Sequence, residues 1–141
     1  LRAAAGRGDE AEVARLLGQP AEDVSDKDEH GKTALMCAAE CGLAGAVALL
    51  LQHGANIHDK NKDGNTALMW AAYKGHEKVV SLLLQHGAVI HDHDDKGWTA
   101  LTHAASMGRE EVVALLLQHG ANIHGRDTQG VTALIQAAYE G

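Results

Sequence analysis

The chain has 141 residues, of which 45% are apolar but only 3% aromatic, with no Phe, a single Pro and a formal net charge of -7. Such an acidic chain lacks the positive footprint that selects phosphate backbones or anionic lipid, and it has no apolar run long enough to span a bilayer, so nucleic acid and membrane insertion are excluded. A core so poor in rings must be built from Leu, Ala, Val and Ile, which suits thin layers between close-packed helices.

One short text recurs at a spacing of 33 residues: Gly31-Lys-Thr33-Ala34-Leu35, then Gly64-Asn-Thr66-Ala67-Leu68, Gly97-Trp-Thr99-Ala100-Leu101 and Gly130-Val-Thr132-Ala133-Leu134. A period of this size marks a solenoid, whose units cannot bury their apolar faces alone. The first unit, 1–27, is degenerate. Its Leu1, Ala4, Ala5, Gly8, Val13, Leu16 and Leu17 match Leu35, Ala38, Ala39, Gly42, Val47, Leu50 and Leu51, with one residue inserted near Pro20 to Asp23. Arg2, Arg7 and Arg15 make it more polar, as a terminal unit should be.

Full units follow at 28–60, 61–93 and 94–126. In the first of them, Asp28 to Gly31 reads as a turn and Thr33 as the cap of a short helix with an apolar stripe at Ala34, Leu35, Ala38 and Ala39. Gly42 ends that helix. A second helix is expected over Leu43 to His53, with Val47, Leu50 and Leu51 on its buried side, and Gly54 ends it. The small Ala38 and Ala39 let neighbouring helices approach closely. The last unit, 127–141, holds only a first helix. We therefore expect either that more chain follows in a parent protein or that a fragment ends early.

These residues resemble the ankyrin repeat. The family's Thr falls at Thr33, Thr66, Thr99 and Thr132, its Leu at Leu35, Leu68, Leu101 and Leu134, and its paired Ala at 38–39, 71–72, 104–105 and 137–138. The resemblance covers essentially the whole chain. It implies an all-α solenoid of stacked antiparallel helix pairs with projecting β-hairpin loops, forming one array over residues 1–141. Two departures from the pattern stand out. The family's Pro is Ala at 34, 67, 100 and 133, which a first helical turn tolerates. The His that knits adjacent repeats in the family is Met36, Met69, Thr102 and Ile135, which leaves the first helices more dependent on apolar packing. The family's closing Asn is His58, His91 and His124. A neutral imidazole has one donor and one acceptor, so these are expected to bond the neighbouring hairpin. The resemblance also implies the alternative that they are targets of the oxygenase that hydroxylates this loop position.

Chemistry is sparse. The cluster His91-Asp92-His93-Asp94-Asp95 is the densest set of metal donors, but positions 91 and 94 belong to the repeated scaffold. Only His93 and Asp95 remain as extras, short of the four ligands zinc takes, so metal is expected to be dispensable. His53, His86 and His119 form a ladder about 10 Å per step, too wide to share an ion, and are expected to be solvated or to cap helix ends. Cys37 and Cys41, one helical turn apart, read as free thiols of a reducing, intracellular compartment. No nucleophile motif or phosphate loop stands in its proper context, so neither enzymatic activity nor a cofactor is expected.

What varies between units points to function. In ankyrin proteins the partner docks on the concave face of hairpin tips and first helices. The residues so placed here are Lys32, Lys62, Asn65, Trp70, Tyr73, Lys74, Lys96, Trp98, His103 and Met107. We expect a monomeric module that binds a protein or peptide there. Trp70 either packs between repeats or anchors the partner. Trp98 takes a place held by Lys32, Asn65 and Val131 in sibling units, so it is expected to face solvent, to matter little for folding and to fill a partner's pocket. The alternative is an engineered or consensus-like scaffold without a native ligand, as the near-identical Leu-Leu-Leu-Gln-His-Gly-Ala blocks suggest. Against it, the outer helix starts differ: Leu-Ala-Gly-Ala at 43–46, His-Glu-Lys-Val at 76–79 and Arg-Glu-Glu-Val at 109–112.

Overall fold

The computed structural model describes residues 1–140; Gly141 and the side chains of Gln136 and Glu140 lie outside the described residues. The helices are α1 (Arg2–Gly6), α2 (Glu10–Leu17), α3 (Ala34–Cys41), α4 (Ala44–Gln52), α5 (Ala67–Lys74), α6 (Glu77–Gln85), α7 (Ala100–Ser106), α8 (Glu110–Gln118) and α9 (Ala133–Glu140). None is long and apolar enough to cross a membrane. Helices of this length are marginal by themselves in water, so packing must hold them. The first helices α1, α3, α5, α7 and α9 stack in one row, and α2, α4, α6 and α8 in a second. This is the all-α solenoid of helix pairs that the repeat predicts.

The first helices α3, α5, α7 and α9 start in the same way. The hydroxyls of Thr33, Thr66, Thr99 and Thr132 accept from the amides three residues on, at 3.3, 3.4, 3.4 and 3.3 Å, which satisfies one orphan donor per helix. Ala38, Ala39, Ala71 and Ala72 are fully buried between the rows, and Leu35, Leu68 and Leu101 are 1, 2 and 3% exposed. Burying each such Leu contributes about 1.5–3 kcal/mol. In the second row Val47, Leu50, Val80, Leu83 and Leu116 are buried. Leu51 is only half-buried, contrary to expectation, and Ala46 takes the buried place instead. The reason is angular: a step of 100° from Leu50 carries Leu51 toward the rim of the apolar stripe.

The loops are stitched by backbone chemistry. In the four units that begin at residues 28, 61, 94 and 127, the first loop residue clamps two amides with one side-chain oxygen. Asp28 holds His30 and Lys32, Asn61 holds Asp63 and Asn65, Asp94 holds Lys96 and Trp98, and Asp127 holds Gln129 and Val131. Successive loops are then joined by single amide-to-carbonyl bonds, Lys62 to His30 at 2.9 Å, Asp95 to Asp63 at 3.0 Å and Thr128 to Lys96 at 2.9 Å. Gly97 permits this approach: its φ is +80°, and a Cβ there would meet the Thr128 amide nitrogen at 2.8 Å. Among the described residues, pairing along the loops is limited to isolated antiparallel bridges, Lys27 with Thr33 and Arg126 with Thr132. The side-chain clamp closes the turn within a few residues, before a ladder can extend.

Candidate functional site: a trough across the second and third units

The candidate residues converge where α5 meets α7 beneath their loops. Asp94 organises this region. It is 7% exposed, and while its Oδ1 accepts the two loop amides, its Oδ2 accepts from His103 Nε2 at 2.9 Å. Burial pushes the His103 pKa below its ordinary value, against the opposing pull of Asp94. The imidazole therefore stays neutral, with its Nε2 proton aimed at the carboxylate. Fixed in this way, the ring meets Tyr73 edge-on at 6.2 Å and 82°, and Trp98 at 5.2 Å and 63°.

Lysines lie over the aromatic rings. Lys32 Nζ sits 4.4 Å from the Trp70 centroid and is ion-paired with Glu40; Lys74 Nζ is 5.7 Å from the Tyr73 ring and Lys96 Nζ 5.8 Å from the Trp98 ring. These are cation–π contacts at a partly exposed surface, each contributing about 0.5–1 kcal/mol. Between the rings lies a cavity of about 210 Å³ lined by Asn65, Met69, Trp70, Tyr73 and His103. It runs into a second of about 390 Å³, which shares Asn65, Tyr73 and His103 and adds Asp63, Asp95, Lys96 and Trp98. Together they form one trough. The Trp70 Nε1, buried beside it, has no hydrogen-bond partner among the described residues. Such an unsatisfied donor costs about 1–3 kcal/mol.

The trough thus gathers Lys32, Asn65, Trp70, Tyr73, Lys74, Lys96, Trp98 and His103. Two expected members lie apart from it. Lys62 is exposed at its loop tip, where its backbone amide stitches the loops. Met107 is 40% exposed at the C-terminal end of α7, the end away from the loops, and lines neither cavity.

Trp98 departs from expectation. It does not stand out into solvent but is half-buried, with its indole N–H donating to Asp127 Oδ2 at 3.1 Å. The ring bridges the third and fourth units, a role the scaffold does not require of Lys32, Asn65 or Val131. Asp127 is held below the usual carboxylate range, chiefly by the Val131 amide, with help from the Gln129 amide and the Trp98 indole.

Seven of the ten histidines fall into three groups by position. Those at 53, 86 and 119 turn Nδ1 onto the carbonyls of Leu49, Leu82 and Leu115, each at 2.8 Å, and so close helix ends as expected of capping side chains. Those at 58, 91 and 124 are exposed, and among the described residues their rings bond no neighbouring loop, contrary to expectation. Asn56 and Asn122 instead accept the amides of His58 and His124 two residues on, which turns the chain locally. The third group was missed: His76 Nε2 reaches back to the Glu40 carbonyl at 2.8 Å, where Arg109 Nε reaches the Tyr73 carbonyl at 3.1 Å in the next unit. Their position after the helix-ending Gly could have flagged them, since the same place recurs as Leu43, His76 and Arg109.

In the 91–95 cluster Asp94 is committed to the loop and His103, and among the described residues no group of three or more donors is placed to hold a metal ion. Cys37 and Cys41 are free thiols. Burial raises the pKa of Cys37, which disfavours a reactive thiolate.

Stacked helix pairs, threonine-capped first helices and loop tips joined one to the next define a helical repeat protein. A family model of ankyrin repeats in three copies matches residues 1–94 and again 88–141, and the chain belongs to the ankyrin repeat family. Members of this family are generally non-catalytic protein–protein interaction modules. A search of curated proteins found no match.

Proposed function

We propose that the chain is a non-catalytic, intracellular, monomeric interaction module that binds a protein or peptide segment in the trough between its second and third units. The observation that carries this reading is the trough itself, walled by Trp70, Tyr73, Trp98 and His103. The repeat does not call for these rings, since Trp70 and Tyr73 correspond to Cys37 and Glu40 in the preceding unit. An apolar partner side chain would cover the rings, which is how interface anchors gain affinity. Lys32 and Lys74 share Glu40, and Asp63 and Asp95 lie beside Lys96, so the rim carries both signs of charge. The array over 1–141, with units at 1–27, 28–60, 61–93, 94–126 and 127–141, acts as one rigid support, and no cofactor takes part.

The competing reading is a scaffold without a ligand, in which the rings serve packing alone. The Trp98 bond to Asp127 favours that reading for Trp98. Selection of a displayed random-peptide library on the protein separates the two. A module enriches a common motif bearing an apolar side chain, and its binding falls at least about tenfold for Tyr73→Ala. Failure to enrich any motif, or enrichment indifferent to Tyr73→Ala, removes the trough as the binding site.

A further inference from the structure

A ladder of ion pairs runs along the closing loops of the array and breaks at one step. Lys27 Nζ meets Asp59 Oδ1 at 2.9 Å, and one repeat later Lys60 Nζ meets Asp92 Oδ1 at 3.5 Å. Each pair joins the last residue of one unit to the next-to-last residue of the following unit. At the next step those two places hold His93 and Gly125. A basic residue remains there, and its carboxylate is gone.

A cavity of about 310 Å³ lies at that step, and Gly125 forms part of its wall. Its polar lining is His91, His93, Arg126, Asn122, Thr99 and Thr102, with no carboxylate among the described residues. It shares no lining residue with the trough. The room has an origin in the sequence. Met36 and Met69, at most 2% exposed, fill the place that Thr102 takes here. The shorter side chain leaves space and brings a hydroxyl.

The lining groups are left as donors by the bonds they already make. Asn122 commits its Oδ1 to the His124 amide at 2.9 Å, so its NH2 remains, 4.0 Å from where a Cβ on Gly125 would stand. The Thr99 and Thr102 hydroxyls, 3.3 Å apart, share one proton and keep the other. Arg126 donates one N–H to the Gly130 carbonyl at 2.8 Å, which leaves most of its five-donor fork. Donors and a fixed positive charge without a counter-charge select a charged acceptor.

We propose that this cavity binds the carboxylate of a small organic acid, which takes the place that Asp59 and Asp92 hold at the two preceding steps. Arg126, protonated His93, the Asn122 amide and the hydroxyl pair hold the carboxylate, and Ile90, also in the wall, covers the apolar part of the acid. The site is separate from the trough and does not depend on it.

The test titrates the isotope-labelled protein with isobutyrate at constant ionic strength and about pH 6, where an ordinary imidazole is largely protonated. Saturable shifts are expected at His93, Gly125 and Arg126 at millimolar acid, with the trough residues unmoved. Arg126→Gln, at an exposed position, should weaken binding at least about tenfold. Gly125→Asp restores the missing rung. Gly125 has no positive φ, and a Cβ there meets only Asn122, with its carbonyl oxygen at 3.5 Å, so the variant should fold. Its own carboxylate should fill the site and cost the ligand at least about tenfold. Thr102→Met, which restores the sibling side chain, should close the cavity with a similar loss. Four results would overturn the proposal. Chloride might reproduce the shifts, which would mean an adventitious ion only. Inorganic phosphate could bind as tightly as isobutyrate. A capped Gly-Asp-Gly peptide could saturate the site where isobutyrate does not, which would assign it to an acidic peptide. Undiminished binding to Gly125→Asp would show that the missing rung is not the site.

Discussion

Leu68 and Leu134 stand in the same local text, Thr-Ala-Leu at the start of a first helix, yet one is 2% exposed and the other 66%. The central units and the end of the array differ in what lies on them, not in how they are written. In a solenoid, burial is supplied by the neighbouring unit, so identical residues contribute differently along the stack. The trough adds a second lesson. There the units diverge in sequence, and the added rings gain partners in adjacent units, as Trp98 does from Asp127.

The largest expected effect sharpens the first contrast. Leu83 is fully buried between central helices, so Leu83→Ala should destabilise by about 2–5 kcal/mol in chemical unfolding, through lost transfer energy and a residual cavity. A loss below about 1 kcal/mol would show that the central layers collapse around the gap as freely as the open end. Next comes Trp98→Ala, which deletes the edge-on contact with His103 and the tie to Asp127. The aromatic pair alone should cost about 0.5–1.5 kcal/mol, so the melting temperature should fall measurably. An unchanged melting temperature would restore the ring to the solvent-facing role expected from sequence.

Trp70→Phe tests the orphaned donor. Removing a buried N–H with no partner should leave stability unchanged or raise it by about 1 kcal/mol. Clear destabilisation would mean that the indole packs as an ordinary inter-repeat side chain.

Acid should act on the trough before the loops. The folded-state pKa of His103 is depressed by burial, so the unfolded chain binds the proton first. Its stabilising contribution is present above the ordinary histidine value near pH 6.5 and is lost as pH falls from there through the depressed folded value. Asp28 and Asp127, held low chiefly by the amides of Lys32 and Val131, lose their contributions only below the carboxylate range. Denaturant midpoints measured against pH should show the earlier loss in the native chain and not in His103→Gln. A profile unchanged by that substitution would show that the ring binds its proton equally well folded and unfolded, and a stability gain on acidification would show that Asp94 keeps it charged. The smallest effect closes the comparison with Leu83: Leu134→Ala should change stability by no more than about 0.5 kcal/mol, as for other exposed positions.

Much of the scaffold was legible in the chain. A capping Thr followed by Ala-Leu, paired Ala, a terminating Gly and a Leu-rich second segment, repeated in register, specify helix pairs because each signal acts within a turn or two. The Asp or Asn at positions 28, 61, 94 and 127 likewise declares a clamped loop. The sequence also nominated most of the trough, since rings that replace Cys37, Glu40 or Lys32 in sibling units stand out against the repeat. It could not show that Asp94 would hold His103, that Trp98 would tie to Asp127, that Trp70 would be left without an acceptor, or that His76 and Arg109 would reach back across a glycine. Those outcomes depend on the offset between stacked units, where a shift of an ångström makes or breaks a hydrogen bond. Local text set the helices, turns and period; the stacking of one unit on the next decided which identical residues are buried, which polar atoms find partners and which faces stay open, because hydrogen bonding and burial are properties of the neighbour as much as of the residue.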